Sequence, residues 1–216
     1  MEKLLCPSMM CANYGNLGEE VEKLEEAGAD IFHIDIMDGQ FVPNFGMGLQ
    51  DVEFICKKAT IPVDAHLMIE NPGSYVEKFA KMGIKIIYIH PESDVHPTRT
   101  LQSIIDAGAT PGIAINPETA VATIKPLLPF VKYVMVMSVN PGFAGQKYIS
   151  SVDEKIKELI ELKEKYGYEV MLDGACSPER VETLSKMGVK GFILGTSALF
   201  GKGKPYKELL DGLRAL

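Results

Sequence analysis

The feature that most limits what this chain can fold into is a unit repeated to its end: an amphipathic stretch, a glycine, then a short apolar run. The glycines stand in Ala27-Gly28-Ala29, Lys81-Met82-Gly83, Ala107-Gly108-Ala109 and Lys186-Met187-Gly188, where a helix is expected to end in a left-handed residue. In the amphipathic stretches, apolar residues recur at spacings of three and four, as Leu17, Val21 and Leu24 do, and later Ile156, Leu159, Ile160 and Leu162. That spacing puts one apolar stripe on each helix. The apolar runs cover 4–9, 31–37, 63–68, 84–90, 111–116, 133–139, 170–172 and 191–194. They are rich in Val, Ile and Met and almost continuously apolar, which suits strands of a parallel sheet covered on both faces.

Eight strand–helix units at roughly 25-residue spacing match the count of a closed (β/α)8 TIM barrel. A doubly wound open sheet needs fewer strands, and its dinucleotide-binding form carries GxGxxG after the first strand. Here that position reads Pro7-Ser8-Met9-Met10-Cys11. No linker or low-complexity break interrupts the 216 residues, so 1–216 is expected to form a single barrel domain.

Composition narrows the partners. The chain has 29 Asp and Glu against 22 Lys and Arg, a net charge of -7, and its lysines are interleaved with glutamates, as in Glu154-Lys155-Ile156-Lys157-Glu158. A nucleic-acid binder would need clustered cations to neutralise phosphates, so none is expected as partner. The first residues lack the apolar core of a signal peptide and no apolar run reaches membrane-spanning length, which predicts a cytoplasmic protein with no membrane partner. Cys6, Cys11, Cys56 and Cys176 have neither CxxC spacing nor the density of a disulfide scaffold and are expected to be reduced and non-ligating.

Polar residues interrupt the strands where a barrel builds its active site, at the C-terminal ends. His33 and Asp35 lie two apart in His33-Ile34-Asp35-Ile36-Met37, so they share a face. His66 shares a face with Asp64 and Met68, and Asp173 closes the run 170–172 just before Gly174. Such imidazoles and carboxylates at neighbouring strand ends suit a divalent ion such as zinc, manganese, iron or cobalt. Hydrogen-bonded core residues would leave the same trace. His90 ends a strand and His96 lies in a loop; neither is needed as a ligand. Met9, Met37, Met68 and Met137 are expected either to line the mouth as polarizable walls or simply to pack the barrel.

Three later strands are followed by small-residue loops: Asn140-Pro141-Gly142-Phe143-Ala144-Gly145-Gln146, Asp173-Gly174-Ala175-Cys176-Ser177 and Gly195-Thr196-Ser197. Backbone N–H groups in such loops can approach an anion, and barrels often bind phosphate after their last strands.

At these residues the chain resembles the ribulose-phosphate 3-epimerase family. The matching pieces run in order: Pro7-Ser8, His33 to Gly39, Phe41-Val42-Pro43-Asn44, Asp64-Ala65-His66-Leu67-Met68, Met137 to Phe143, Asp173-Gly174 and Gly195-Thr196-Ser197. The resemblance implies a metal-dependent isomerase acting on a phosphorylated ketose, in a barrel of the ribulose-phosphate-binding type. It places one divalent ion (Zn, Mn, Co, Fe or Mg) on His33, Asp35, His66 and Asp173, with no organic cofactor. Substrate contact falls to Ser8 and His66, phosphate contact to Gly142, Phe143, Ala144, Gly145, Gly174, Ala175, Gly195, Thr196 and Ser197, and the pocket walls to Met37, Met68 and Met137. The expected assembly is a homo-oligomer, a dimer or a hexamer.

Inverting C3 of a 2-ketose needs two acid/base groups on opposite faces of the carbon and something to hold the enediolate charge. Asp35 and Asp173 are the expected pair. Where family members acting on ribulose phosphate usually read Ser-x-Leu-Ser and Asp-Gly-Gly, this chain has Ser8-Met9-Met10-Cys11 and Asp173-Gly174-Ala175-Cys176. With His90-Pro91-Glu92, these departures resemble the allulose-6-phosphate 3-epimerase branch. The expected substrate is therefore D-allulose 6-phosphate, converted to D-fructose 6-phosphate; the alternative is D-ribulose 5-phosphate, converted to D-xylulose 5-phosphate. A sugar-phosphate decarboxylase or lyase is a more distant alternative, as is a non-catalytic ligand-binding barrel.

Overall fold

A computed structural model describes residues 3–216. Eight parallel strands alternate with eight α-helices: β1 (Leu4–Pro7), α1 (Leu17–Glu26), β2 (Phe32–Met37), α2 (Leu49–Lys58), β3 (Val63–Met68), α3 (Val76–Met82), β4 (Ile86–Ile89), α4 (Pro97–Asp106), β5 (Thr110–Ile115), α5 (Val121–Ile124), β6 (Tyr133–Met137), α6 (Val152–Tyr166), β7 (Glu169–Asp173), α7 (Pro178–Met187), β8 (Gly191–Leu194) and α8 (Tyr206–Ala215). The strands form one sheet in the order β1-β8-β7-β6-β5-β4-β3-β2, a (β/α)8 TIM barrel as the repeat predicts.

The helices follow their sequence signals. Gly83 and Gly188 cap α3 and α7 with φ of 108° and 118°, and Gly28 and Gly108, one residue past the caps of α1 and α4, have φ of 91° and 79°. Val21 and Leu24 of α1 and Ile156 and Leu159 of α6 are buried, so the predicted stripes face the sheet. The fifth unit departs from the pattern: α5 has four residues and continues as a 3-10 turn over Lys125–Phe130. Pro126 and Pro129 remove backbone donors there and stop the α-helix.

Alternation along each strand sorts the side chains into two layers. Phe32 and Ile34 of β2, Ala65 and Leu67 of β3, and Val170 and Leu172 of β7 join the outer core between sheet and helices. Facing inward, Cys6, Ile86, Tyr88, Ala114, Met135, Met137, Met171 and Ile193 fill the barrel. Gly112 makes room for this packing, since a Cβ there would lie 2.5 Å from the Tyr88 ring. The inward residues of β2 and β3 are instead His33 and Asp35, and Asp64 and His66, all four buried.

Most strands differ from their predicted bounds by one or two residues. The first matters most: β1 ends at Pro7 and a 3-10 turn follows over Met9–Cys11. That turn breaks the two-residue period, so Met9 packs in the outer core while Met10 reaches the mouth.

The seam between β1 and β2 is where the barrel must close. Asp30 carries much of it: its backbone N–H donates to Leu5 O (3.0 Å), and its carboxylate accepts the Leu5 N–H (2.8 Å) and pairs with Arg214 of α8 (2.9 Å). Farther along, Ser8 pairs in parallel register with His33. Asp30→Ala is expected to cost about 1–3 kcal/mol, because it leaves a partly buried N–H and a guanidinium without their acceptor. Thermal unfolding should show this as a fall of at least ~2–4 °C.

Candidate active site

The group at the top of the barrel is assembled by register. Across the β2–β3 ladder Asp35 stands beside His66 and His33 beside Asp64, and across β6–β7 Asp173 stands beside Met137. One ligand atom from each of His33, Asp35, His66 and Asp173 lies within 4.8 Å of the others. The two imidazoles have no exposed surface, and the side chains of Asp35 and Asp173 are 6% and 15% exposed.

Separations inside this group are too long for hydrogen bonds. His33 Nε2 lies 3.4 Å from Asp35 Oδ1 and 3.9 Å from Asp173 Oδ2; His66 Nδ1 lies 3.5 Å and 3.4 Å from the same two atoms. Neither ring nitrogen has a hydrogen-bond partner in spite of its burial. Ligands bound to zinc at about 2.0–2.1 Å in a tetrahedron stand about 3.4 Å apart. The spacing, the orphaned nitrogens and the mixed imidazole–carboxylate chemistry all fit a divalent cation. On the far side of His33, Nδ1 approaches Asp64 Oδ1 at 2.6 Å, the kind of carboxylate backing that sets the orientation of a ligating imidazole.

Charge in the cluster is strongly biased. Burial would push the Asp35 carboxyl up, but the His33 and His66 rings hold it well below the usual carboxylate range. Burial likewise works against protonation of His33 and His66, and the facing aspartates reverse it and raise both. Asp35 has one more partner: its Oδ2 accepts the Ser8 hydroxyl at 2.6 Å.

Above the cluster lies a cavity of about 560 Å³, part of it open to solvent. Its wall includes Ser8, Asp35, Asp173, Met37, Met68 and Met137, together with all three small-residue loops, so Gly142, Phe143, Ala144, Gly145, Gly174, Ala175, Gly195, Thr196 and Ser197 converge on one space. His66 is placed beneath that space and not on its wall, as is His33. Met137 also belongs to the barrel packing, so both expected roles of the methionines are realised in one residue. Among the described residues the wall holds no Lys or Arg. Backbone groups are what the loops offer, and Leu199 N–H bonds Gly195 O in a helical turn that leaves the amides of 196–198 at its start.

The loops are held by close approaches. Gly174 has φ of 97°, and a Cβ there would lie 2.6 Å from Val139. Ala175 next to it is also left-handed, with φ of 46°, which costs an L-residue about 1–2 kcal/mol that glycine avoids. Asn44 Nδ2 donates to Gly142 O at 2.7 Å, tying the loop after β2 to the loop after β6. Sequence reasoning missed Met10, Cys11 and Cys176 as wall residues, although the motif departures flagged those stretches.

Comparison with known proteins decides the family. Residues 4–200 match the model of the ribulose-phosphate 3 epimerase family. The chain belongs to this family. Relatives include the ribulose-phosphate 3-epimerases of Helicobacter pylori, 40% identical over 97% of this chain and 96% of the relative, and of Aquifex aeolicus, 39% identical over 92% and 90%. KGPDC from Streptococcus mutans has the same fold, with a TM-score of 0.78 over 99% of this chain and 98% of that one, at 13% identity. The family makes this chain a ketose-phosphate 3-epimerase, an isomerase acting on a phosphorylated sugar. Among the described residues no helix is long and apolar enough to cross a membrane.

Asp38, at the end of β2, anchors the loop that carries Asn44. Its carboxylate accepts backbone N–H groups from Gln40, Phe41 and Glu70 at 2.8, 3.1 and 2.8 Å. Slight burial raises this carboxyl, and the three donors outweigh it and hold it below its ordinary value. A depressed folded value stabilises above the unfolded value near ~3.9 and is lost as pH falls through the folded one. Asp38→Ala should therefore cost about 1 kcal/mol at pH 7, with the difference from wild type narrowing towards pH 3 in denaturant unfolding curves.

Proposed function

We propose that this family member interconverts D-ribulose 5-phosphate and D-xylulose 5-phosphate, with Asp35 and Asp173 exchanging the C3 proton. The observation that carries the reading is the placement of two carboxylates on β2 and β7, with β1 and β8 between them, both on the wall of one cavity and both beside the His33–His66 pair.

Each side chain then has a task. Asp35, kept ionised by the two imidazoles and accepting the Ser8 hydroxyl, holds an oxygen ready to take a proton. Asp173 offers the second carboxylate across the cavity, and reversal of the two roles runs the reaction backwards. Met37, Met68 and Met137 line the space with groups that neither donate nor accept the migrating proton, and they limit water at the reacting carbon. The amides of the loops after β6, β7 and β8 hold the phosphate without a basic side chain. His33, Asp35, His66 and Asp173 would hold the divalent ion, which when bound supplies Lewis acidity that offsets the charge of the enediolate.

The five-carbon substrate is favoured by the relatives: the Helicobacter and Aquifex proteins, near 40% identical over almost the whole chain, are both ribulose-phosphate 3-epimerases. This reverses the order expected from the motif departures. D-allulose 6-phosphate remains the second reading on one observation, that Met10, Cys11, Ala175 and Cys176 stand in the cavity wall, where a few contacts can discriminate one extra CHOH group. We further propose a cytoplasmic homo-oligomer, as for an enzyme of sugar-phosphate metabolism, testable by light scattering of the purified protein.

With one sample assayed on both substrates, kcat/KM should be higher for D-ribulose 5-phosphate, and a clear preference for D-allulose 6-phosphate would reverse the assignment. Asp35→Asn and Asp173→Asn should each lower kcat by ~10²-fold to 10⁴-fold with an unchanged circular dichroism spectrum. Turnover near wild type in either variant would rule out the two-base scheme. In D2O the C3 position should exchange and yield the diastereomer, an outcome that a lyase or a passive binding protein would not give.

A further inference from the structure

One buried group remains outside this scheme. His90, at the end of β4, has no exposed surface, and its Nε2 lies 2.8 Å from Nε2 of His66, the ring planes 24° apart and the centroids 5.0 Å apart. Phe41 covers it at 4.8 Å between centroids. On its other side Nδ1 faces Glu92 Oε2 at 3.6 Å, and the Glu92 side chain is 22% exposed. Glu92 Oε1 is occupied by two donors, the Asn116 N–H at 3.0 Å and the Thr119 hydroxyl.

The direction of this chain of contacts follows from which atoms can donate. With Oε1 taking two donors, Glu92 serves as a carboxylate, and a carboxylate only accepts. His90 Nδ1 has no hydrogen-bond partner and faces the Glu92 charge at 3.6 Å, so electrostatics favour the ring proton on that nitrogen, which leaves a lone pair on His90 Nε2. Two nitrogens 2.8 Å apart share one proton, so His66 Nε2 donates. His66 Nδ1 is thereby left to face Asp35 and Asp173, the side on which the cluster would take its cation. The opposite polarity would set a nitrogen lone pair against the Glu92 carboxylate.

We propose that Glu92 and His90 form a positioning relay that fixes the ring orientation and proton placement of His66. The relay rests on the reading of His33, Asp35, His66 and Asp173 as a cation site. It adds to that reading a second layer of control, parallel to the Asp64 contact on His33, and neither relay residue touches the substrate cavity.

Two measurements separate the relay from the cation reading. Long-range 1H–15N correlation spectra of the histidine rings in the metal-free protein should show His90 protonated at Nδ1 in the wild type and lose that preference in Glu92→Leu. A wild-type His90 protonated at Nε2 would overturn the relay. Titration with Co2+, followed by its visible absorption, should show binding weakened about 10–100-fold in His90→Phe and largely recovered in His90→Gln, whose carbonyl can accept the His66 proton. Equal Co2+ affinity in wild type and His90→Phe also overturns the relay. Should His90→Phe fail to fold, Glu92→Leu carries the same test with a smaller loss expected, and no loss counts against the relay. A wild type that takes up no Co2+ removes the cation reading, while the ring-proton measurement still judges the relay.

Discussion

The hydrogen bond from Ser8 to Asp35, 2.6 Å long and buried, joins the closure of the barrel to its chemistry. β1 and β2 meet at the seam that completes the cylinder, and Ser8 and His33 are paired there. Asp35 sits inward by the alternation along β2, and the hydroxyl just past the end of β1 is one of the groups that offset the cost of burying its charge. An unpaired carboxylate in such a place would cost several kcal/mol or become protonated. Two imidazoles and one hydroxyl make the ionised form tenable. The same wall that stabilises the fold thus helps keep Asp35 ionised, as its proposed acid/base role requires.

The interior is divided by strand, polar on β2 and β3 and mostly apolar elsewhere. Cys6, Ile86, Met135 and Met171 pack the barrel as apolar filling, while His33, Asp35, Asp64 and His66 are inward residues of β2 and β3, joined by Asp173 of β7. The polar residues are gathered into contacts with one another: Asp64 with His33, His33 and His66 with Asp35 and Asp173, His66 with His90, His90 with Glu92. Such a network is costly when half complete and rigid when complete. Here it is half complete, since His33 Nε2 and His66 Nδ1 have no hydrogen-bond partner, and a cation in the cluster would complete it.

How much of this was written in the sequence depends on whether a local period or a distant contact decides the matter. The two-residue period of His33, Asp35 and Met37 announces a shared face, and the helix–glycine–strand repeat announces the barrel, because both are properties of consecutive residues. Met9 packs in the outer core and Met10 takes the mouth because a 3-10 turn begins at Met9, just past the end of β1, and no hydrophobic pattern marks that turn. His90 passes as a mouth residue of no special role because its importance depends on the offset between β3 and β4, where His66 stands level with Tyr88 and the next inward residue is His90. Glu92 is harder still: its partners Asn116 and Thr119 follow β5, a whole unit away along the chain. The order of the two substrates is reversed in the proposed reading, where similarity over the entire length is given more weight than a few wall residues.

The absence of any lysine or arginine among the described residues of the cavity wall has a kinetic meaning for a protein with a net charge of -7. Enzymes that take anionic substrates commonly draw them in with a positive funnel, and added salt slows their capture by screening the attraction. Here the net charge opposes a phosphorylated sugar at long range, and in the proposed reading favourable contact begins only at the loop amides. Ionic strength should therefore act in the opposite sense, easing the approach by screening the repulsion between protein and ligand. Selection among anions is left to short-range fit, which a rigid ring of backbone donors can make sharper than a flexible cation would.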